Sequence, residues 1–577
     1  MYNSRIAELF EEIADMLALD TVDRKFEVLA YRKAAQTVLG LQEDVGELYK
    51  KKGIGGLMEL PGVGKSIAGA IREYIETGKM GKHEELKKRY PIDFKGLTLI
   101  QGMGSKRIFK LYKSLGVRNI EDLKKAAEAH RISGISGFGK KSEDEIKKSL
   151  AQLELTKGRM LLGLALPEAE DIVEKIRKSG LAERVAIAGS TRRMKETVGD
   201  LDILVTARDS EPVMEFVRNL EETQRTIASG PTKTTVLLKM GLTCDVRVVE
   251  DKSFGAALQY FTGNKDHNVK LRQIAISKGY KLNEYGLFDK KGRMAAGKEE
   301  GDIYDKLGMD IMPPEMREDR GEVELSQKHR LPILVGLDGI KGDLHVHTNR
   351  SDGSNTIEEM AIAARKLGRK YIGITDHTKS EYIAHGMDDR KFAKHFQDID
   401  NVDGKVGGIR LLKSAEIDIL KDGSLDLGRK TLELMDYGLA SIHTALNMSR
   451  GEMTRRVITA FETGYVNIFA HPTDRIINVR SPIDMDLDKV FQAAEDNNVI
   501  MEIDGYPERL DLNDENILRA SKYKLKFSID TDSHSQSHLL LMRYGVSTAR
   551  RGWLTPERVL NTMDVDDVLK AFKRGRR

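Results

Sequence analysis

The sequence predicts a multidomain protein with a helical amino-terminal part, an α/β centre and a carboxyl-terminal barrel of repeated βα units. Three observations carry this prediction. The chain has 577 residues, and at about 100 to 200 residues per domain it must bury several separate cores. Glycine hairpins separated by helical stretches recur through residues 1–155. Beyond Gly339, apolar strands end in histidine and carboxylate clusters separated by helical stretches of about a dozen residues or more, as repeated βα units do.

Composition narrows the function classes. With 94 basic and 90 acidic side chains the net charge is +4, so any grip on nucleic acid must be local. Residues 101–155 carry 12 Lys plus Arg against 7 Asp plus Glu, a modest basic excess of the kind that contacts phosphate. Cys244 is the only cysteine, which leaves no disulfide framework or thiolate zinc site within one chain and fits a reducing cytosol. The amino terminus opens as a charged amphipathic helix rather than a signal peptide, and no apolar run approaches the roughly 18 residues that span a bilayer. The expectation is a cytoplasmic monomer without membrane contact.

In the helical part the hairpins are Leu60-Pro61-Gly62-Val63-Gly64-Lys65, Ile100-Gln101-Gly102-Met103-Gly104-Ser105-Lys106 and Ile135-Ser136-Gly137-Phe138-Gly139-Lys140. Each has the form of a helix-hairpin-helix. Glycines let the backbone approach a phosphate, and the amides that open the next helix point at it, giving sequence-independent binding. Gly62, Gly64, Lys65, Gly102, Gly104 and Lys106 are the candidate DNA contacts. A division into 1–90 and 91–155 follows.

The centre carries the densest chemistry. Val185, Ile187 and Ala188 lead into Gly189-Ser190-Thr191-Arg192-Arg193, and Gly199-Asp200-Leu201-Asp202 opens a second apolar run. The pattern is strand, anion-binding turn, strand. Alternation places Asp200 and Asp202 on one face, and a partner strand through Val246 and Val248 can bring Asp245 beside them. Three crowded carboxylates repel unless divalent cations neutralise them, which suits a two-metal site for phosphoryl transfer. Ser229-Gly230-Pro231-Thr232-Lys233 reads as a turn between strands.

Residues Gly189 to Asp202 resemble the palm signature of the DNA polymerase X family, whose small representative is DNA polymerase beta. The resemblance implies a nucleotidyltransferase palm (156–255) in which Asp200, Asp202 and Asp245 hold two Mg²⁺ ions, while Ser190, Arg193 and Gly199 contact an incoming dNTP. It extends to a nucleotide-selecting subdomain or thumb (256–318). There Tyr260-Phe261-Thr262-Gly263 would crowd the sugar, and Asn268 and Arg272 would face the nascent base pair and template. The first two hairpins look like the DNA-gripping hairpins of the same family. Aligned on Pro61-Gly62-Val63-Gly64, however, the family's Schiff-base lysine falls on Ala70 and its helper lysine on Ser66. Neither offers an amine to form an imine, so 5′-deoxyribose-phosphate lyase activity is expected to be weak or absent.

A charge-rich linker is expected over 319–338, followed by a last domain over 339–577. Strand ends there carry Asp343-Leu344-His345-Val346-His347, Thr375-Asp376-His377, Glu416, His443, His471-Pro472 and Asp530-Thr531-Asp532-Ser533-His534. His-x-His on a strand aims both imidazoles the same way, as a metal needs. This half resembles the polymerase and histidinol phosphatase (PHP) family, a distorted (β/α)7 barrel binding up to three metals. The resemblance implies ligation by His345, His347, Asp352, His377, Glu416, His443, His471, Asp532 and His534, with Asp343 and Asp376 orienting imidazoles. Donors without thiolate suit Zn²⁺, Mn²⁺ or Fe²⁺, of which Zn²⁺ or Mn²⁺ is expected. Arg475 is a candidate phosphate contact, and the basic tail Lys573-Arg574-Gly575-Arg576-Arg577 reads as a frayed terminus.

Together the resemblances imply a gap-filling repair polymerase acting on gapped or nicked DNA and dNTPs, as in base excision repair. Its PHP domain would supply 3′→5′ exonuclease, 3′-phosphatase or abasic-site endonuclease activity. Two alternatives compete: a polymerase whose PHP domain is only structural, and a small-molecule phosphoesterase fused to a DNA-binding module.

Overall fold

The computed structural model describes residues 2–19, 24–39, 41, 44–98, 100, 103–156 and 158–573. Helices fill the amino-terminal part because its apolar residues recur at helical spacing. In Tyr2–Leu17 the side chains Ile6, Phe10, Ile13 and Leu17 are all buried, a stripe of period 3.6. It packs into one apolar cluster with Leu57, Ile71, Leu111 and Leu123 from later helices.

The α/β centre is a five-stranded sheet of β1 (Arg184–Ile187), β2 (Asp200–Thr206), β3 (Thr223–Ser229), β4 (Lys233–Leu238) and β5 (Thr243–Val248). Its order is β1-β2-β5-β4-β3, with β2 and β5 parallel and the other pairs antiparallel. The β3–β4 turn is the expected one at Ser229–Lys233, closed by the Gly230 amide donating to the Lys233 carbonyl at 2.8 Å. Alternation decides the faces: Cys244, Val246 and Val248 of β5 are buried with Leu201, Ile203 and Val205 of β2 and with Ile172 and Ile176 of the helix Leu162–Lys178. Asp202, Asp245 and Arg247 are left on the open face.

The following subdomain packs the helices Phe254–Thr262, Lys265–Ser277 and Glu300–Lys306 around Leu271, Ile303 and Tyr304. Residues 319–338 are not an extended linker. They contain the helix Glu322–Gln327, whose Val323 enters this core. The buried Glu322 carboxylate accepts from the Asp319 and Arg320 amides at 3.0 and 2.7 Å and lies 2.9 Å from His267 Nδ1.

The last domain has parallel strands β6 (Gly342–Val346), β7 (Tyr371–Ile374), β8 (Arg410–Lys413), β9 (Glu416–Asp418), β10 (Leu439–Ser441), β11 (Ile468–Phe469), β12 (Ile500–Asp504) and β13 (Phe527–Asp530). They form the ladders β6-β7-β8 and β9-β10-β11-β12-β13. A bridge between His377 and Glu416 joins the ladders, and one between Val346 and Ser533 brings the chain after β13 back beside β6. The histidine- and carboxylate-bearing segments of β6, β7, β9, β10, β11 and β13 therefore meet at one end. This domain also packs on the central sheet: Ile477, Leu510 and Tyr544 belong to the same apolar cluster as Leu201 and Val246.

Candidate active sites

In the central sheet β2 and β5 are in register with Asp202 opposite Asp245. Asp200, two residues earlier on β2, shares the face of Asp202. Burial pushes the Asp202 carboxyl up to about 6, reinforced by the charges of Asp200 and Asp245. Asp245 is surrounded by donors: Lys233 Nζ lies 2.6 Å and Arg247 Nη2 3.1 Å from Oδ2, and Thr235 Oγ1 donates to Oδ1 at 2.5 Å.

The turn after β1 lies directly on this site. Gly189 has φ +63°, and a Cβ there would fall 2.4 Å from Asp202 Oδ2, so only glycine lets the backbone rest against the carboxylate. The turn carries Ser190, and Gly199 immediately precedes β2. Arg193 has partners already: Nε donates to Glu318 Oε1 at 3.1 Å and Nη1 to the Thr262 carbonyl at 2.5 Å. Tyr260 and Phe261 meet edge to face at 5.2 Å, with the Arg247 guanidinium 4.5 Å above the Phe261 ring. Gly263 follows at φ +66°, within 3.4 Å of Arg193 Nη1 at its Cβ position.

Asn268 corrects an expectation. It does not face an open cleft, because its amide is used internally: Nδ2 donates to the Tyr260 carbonyl at 2.7 Å and Oδ1 accepts from Gln259 Nε2 at 2.7 Å. It thereby fixes the end of the helix that carries Tyr260 and Phe261. Arg272 is half-buried one turn further on.

Of the hairpins, Gly62 has φ +75°, and Gly64 and Gly104 precede the helices Lys65–Thr77 and Ser105–Leu115 without any side-chain cap. Lys65 and Lys106 are exposed at those helix starts, where free amides favour an anion. Gly102 lies outside the described residues, as do residues 574–577 of the basic tail. Ala70 is buried and Ser66 exposed on the same helix, so no amine stands at either position.

In the last domain all nine expected ligands converge. His345 Nε2 and His347 Nε2 are 3.1 Å apart, and each lies 3.4 Å from Glu416 Oε2. Asp532 Oδ1 is 3.1 Å from His347 Nε2 and 3.4 Å from His345 Nε2. Across the same carboxylate, Glu416 Oε1 is 2.8 Å from His471 Nε2 and 3.1 Å from His443 Nε2, with His377 Nδ1 3.1 Å from Oε2. Asp352 Oδ2 completes a third group, 3.5 Å from His377 Nε2 and 3.2 Å from His534 Nε2. Ligand atoms of His345, His347, Glu416 and Asp532, of His377, Glu416 and His443, and of His347, Asp352, His377 and His534 lie within 4.8 Å of one another in each group.

These groups fit divalent cations. His347 Nδ1, His377 Nδ1 and Asp532 Oδ1 are buried without hydrogen-bond partners, although Asp532 Oδ1 and His347 Nε2 nearly touch. Buried polar atoms that approach one another without bonding geometry are costly, and they are arranged as ligands around a common point are.

The orienting carboxylates differ from those expected. Asp343 accepts from Thr531 Oγ1 at 2.5 Å and from the Thr531 and His345 amides. Asp376 accepts from Thr348 and Ser351 and lies 2.9 Å from the non-ligand His395. Neither contacts a ligand imidazole. Glu502 on β12 does so instead, 2.7 Å from His345 Nδ1, while also accepting the His471 amide. Asp418, two residues past Glu416, lies 3.4 Å from His443 Nδ1 and with Glu381 forms a further acidic group around that ring. Arg475 is likewise not at the cluster. Its guanidinium binds Glu196 Oε2 of the central domain at 2.7 Å and the Arg509 and Leu510 carbonyls at 2.8 Å, because the turn after His471 carries it outward.

Fold and sites together define a nucleotidyltransferase-type palm and thumb, with helix-hairpin-helix modules before it and a cluster of candidate metal ligands of the PHP type behind. Family comparisons agree: a helix-hairpin-helix domain matches residues 1–80, a SAM-like helix-hairpin-helix tandem 94–152, the DNA polymerase beta thumb 257–318 and the PHP domain 343–506. Over 578 aligned residues the chain is 37% identical to "DNA polymerase/3'-5' exonuclease PolX" of Bacillus subtilis (strain 168), covering 100% of both chains. It is 27% identical over 314 residues to DNA polymerase lambda of Arabidopsis thaliana, spanning 50% of this chain and 54% of that one. Among solved structures, polymerase beta of Leishmania infantum in a ternary P/T complex matches at 26% identity and a TM-score of 0.26, over 39% of this chain and 97% of that one. The chain belongs to the PolX family of DNA polymerases that carry a PHP domain.

Proposed function

We propose that the protein is a DNA-directed DNA polymerase that fills short gaps during repair, and that its PHP domain trims 3′ ends as a metal-dependent exonuclease and phosphoesterase. The observation that carries the synthetic reading is the register of Asp202 opposite Asp245 with Gly189 seated on the Asp202 carboxylate. That arrangement puts a phosphate-binding turn and three carboxylates in one place.

In this reading Asp200, Asp202 and Asp245 hold two Mg²⁺ ions, which when bound supply the positive charge that phosphoryl transfer needs at its attacking and leaving oxygens. Ser190, Gly199 and the turn amides orient the triphosphate. Arg193 joins them once it leaves Glu318. Asp245 helps to deprotonate the primer 3′-hydroxyl. Tyr260, Phe261 and Gly263 form the wall against the sugar, and Asn268 acts through them by holding their helix end. Arg272 faces the template. Gly62, Gly64, Lys65, Gly102, Gly104 and Lys106 grip the backbone of gapped or nicked DNA, so binding is salt-sensitive and sequence-tolerant.

For the PHP domain, the nine converging ligands are suited to Zn²⁺ or Mn²⁺, up to three ions, with Glu416 shared between groups. Bound cations there supply activation of water and charge neutralisation of a phosphoester. The chain's own contribution is to aim the imidazoles: Glu502 and Asp418 hold His345 and His443 from behind. We place the protein, as a monomer, in the cytoplasm, a reducing compartment that its single buried cysteine fits. Among the described residues no helix is long and apolar enough to cross a membrane.

The test is primer extension and primer degradation on gapped DNA, with Mg²⁺ and with Mn²⁺, for the wild type, Asp200→Ala and Asp532→Ala. Loss of templated addition only in the first variant and of 3′ trimming only in the second is the expected result. Retained addition in Asp200→Ala would remove the palm from catalysis, and retained trimming in Asp532→Ala would make the PHP domain a scaffold.

A further inference from the structure

A cavity of about 310 Å³ opens beside the metal-type groups, lined by Asp352, Asp532 and His534 together with Tyr506, Arg509, His538 and, from the amino-terminal helices, Gln36. Tyr506, Arg509 and His538 have no part in ligation. Tyr506 follows β12 and His538 follows the loop after β13, so two strand-end segments bring together rings that are far apart in sequence. The rings are held at right angles, 82° between planes and 5.4 Å between centroids. Both are anchored: the Tyr506 amide donates to Asp504 Oδ1 at 2.6 Å, and His538 Nδ1 accepts from the His534 amide at 3.3 Å. Arg509 is pinned by Asp474 at 2.8 Å. The cavity is at the small end of ligand sites, which run from about 300 to 1,000 Å³, so it admits one nucleoside and excludes a duplex end.

We propose that Tyr506 and His538 form a stacking corner that receives the terminal nucleobase of a DNA 3′ end, presenting the adjacent phosphoester to the metal-type groups. A planar base fits with its face on one ring and its edge against the other. Because every base has a π face, such a corner reads no sequence, whereas a base still paired in a duplex cannot enter it. Tyr506 and His538 are thus binding residues that select the state of the end. This inference rests on the phosphoesterase reading of the PHP domain and specifies its substrate.

The experiment compares two single-stranded oligonucleotides that differ only at the 3′ residue, one with a natural nucleotide and one with an abasic tetrahydrofuran. Release of that residue by the full-length protein in Mn²⁺ is followed as kcat/KM for the wild type, Tyr506→Ala and Tyr506→Phe. Stacking of one base on aromatic side chains is worth about 1–3 kcal/mol, so the wild type is expected to prefer the natural terminus by about 5- to 150-fold. Tyr506→Ala should lose that preference by slowing only on the natural terminus, and Tyr506→Phe should keep it. Equal wild-type rates on both termini overturn the corner whatever the variants do, and so does a Tyr506→Ala that slows equally on both. Release from neither oligonucleotide overturns the phosphoesterase reading itself and the corner with it.

Discussion

Asp202 offers a direct measure of how strongly the palm is poised for cations. Burial, with the charges of Asp200 and Asp245, raises its carboxyl from 3.8 to about 6. A carboxyl whose folded pKa exceeds its unfolded value binds its proton better when folded, so its ionisation destabilises the fold above that pKa. Each tenfold change in proton affinity is worth about 1.4 kcal/mol, so a metal-free palm above pH 6 is destabilised by this one charge by at most about 3 kcal/mol. Asp202→Asn removes the charge and keeps the shape. In chelator at pH 7.5 the variant should therefore melt higher than the wild type, by about 6–12 °C if the unfolding unit has 150–250 residues. The gap should narrow by about half at pH 5 and close only near pH 3, roughly a unit below the unfolded value of 3.8, where wild-type Asp202 is protonated when folded and largely so when unfolded. Adding Mg²⁺ at pH 7.5 should raise the wild type towards the variant and leave the variant almost unmoved, while nucleotide addition is lost in the variant throughout. Differential scanning fluorimetry across pH, with and without Mg²⁺, reads all of this. A variant that melts no higher than the wild type in chelator, or a gap independent of pH, would refute the claim that these carboxylates repel one another.

Other perturbations address the remaining groups. Glu502→Gln weakens the acceptor behind His345 and should cost about 10- to 100-fold in metal affinity, measured by competition with a chromogenic chelator, with the fold retained by circular dichroism. Glu318→Ala releases Arg193, which must break a charged hydrogen bond worth about 1.5–3 kcal/mol to reach a triphosphate; the dNTP KM should fall about tenfold or more with little change in kcat. An incised abasic duplex treated with borohydride should trap no covalent adduct at a lyase-like rate, since Ala70 and Ser66 have no amine; efficient trapping would locate a nucleophile elsewhere in the chain. Raising salt from about 50 to about 200 mM should weaken binding of gapped DNA steeply and to the same degree for unrelated sequences, in a fluorescence anisotropy titration.

The arrangement of both candidate sites was legible wherever it was written in strand periodicity. Asp-x-Asp on β2 and His-x-His on β6 each fix two side chains on one face, so a short run of residues specifies direction as well as identity. What lay hidden had one of two causes. Glu502 and Asp418 sit within Ile500-Met501-Glu502-Ile503-Asp504 and Ala415-Glu416-Ile417-Asp418-Ile419, where the signal was a carboxylate inside an otherwise apolar strand. Such a residue is almost never fully buried unless something holds it, and that rule could have singled out Glu502. The second cause is distance along the chain. Arg475 follows His471 closely enough to suggest the same pocket, yet its partner Glu196 is 279 residues away. Residues 319–338 misled for a related reason: their charge density reads as a solvated connector, while Glu322 and Val323 point inward against His267 and Ile303.

The way the PHP domain is attached bears on how one DNA end reaches both sites. Arg475 holds Glu196 and Arg543 holds Glu170, while Arg551, itself buried, donates to the Arg193 carbonyl at 2.7 Å and to Glu318 at 3.1 Å and binds Asp514 at 2.6 Å. Around these pairs Ile477, Leu510 and Tyr544 complete the apolar core of the palm. Domains joined by small polar interfaces move readily, but apolar ones do not, and separating this one would expose Ile477, Leu510 and Tyr544 and break the contacts of Arg475 with Glu196 and of Arg551 with Arg193 and Glu318. With the scaffold fixed in this way, a primer passing between the two sites would have to move as a freed strand rather than ride on a domain. Arg551 adds a further constraint, since the side chain that fastens the domains also shares Glu318 with Arg193.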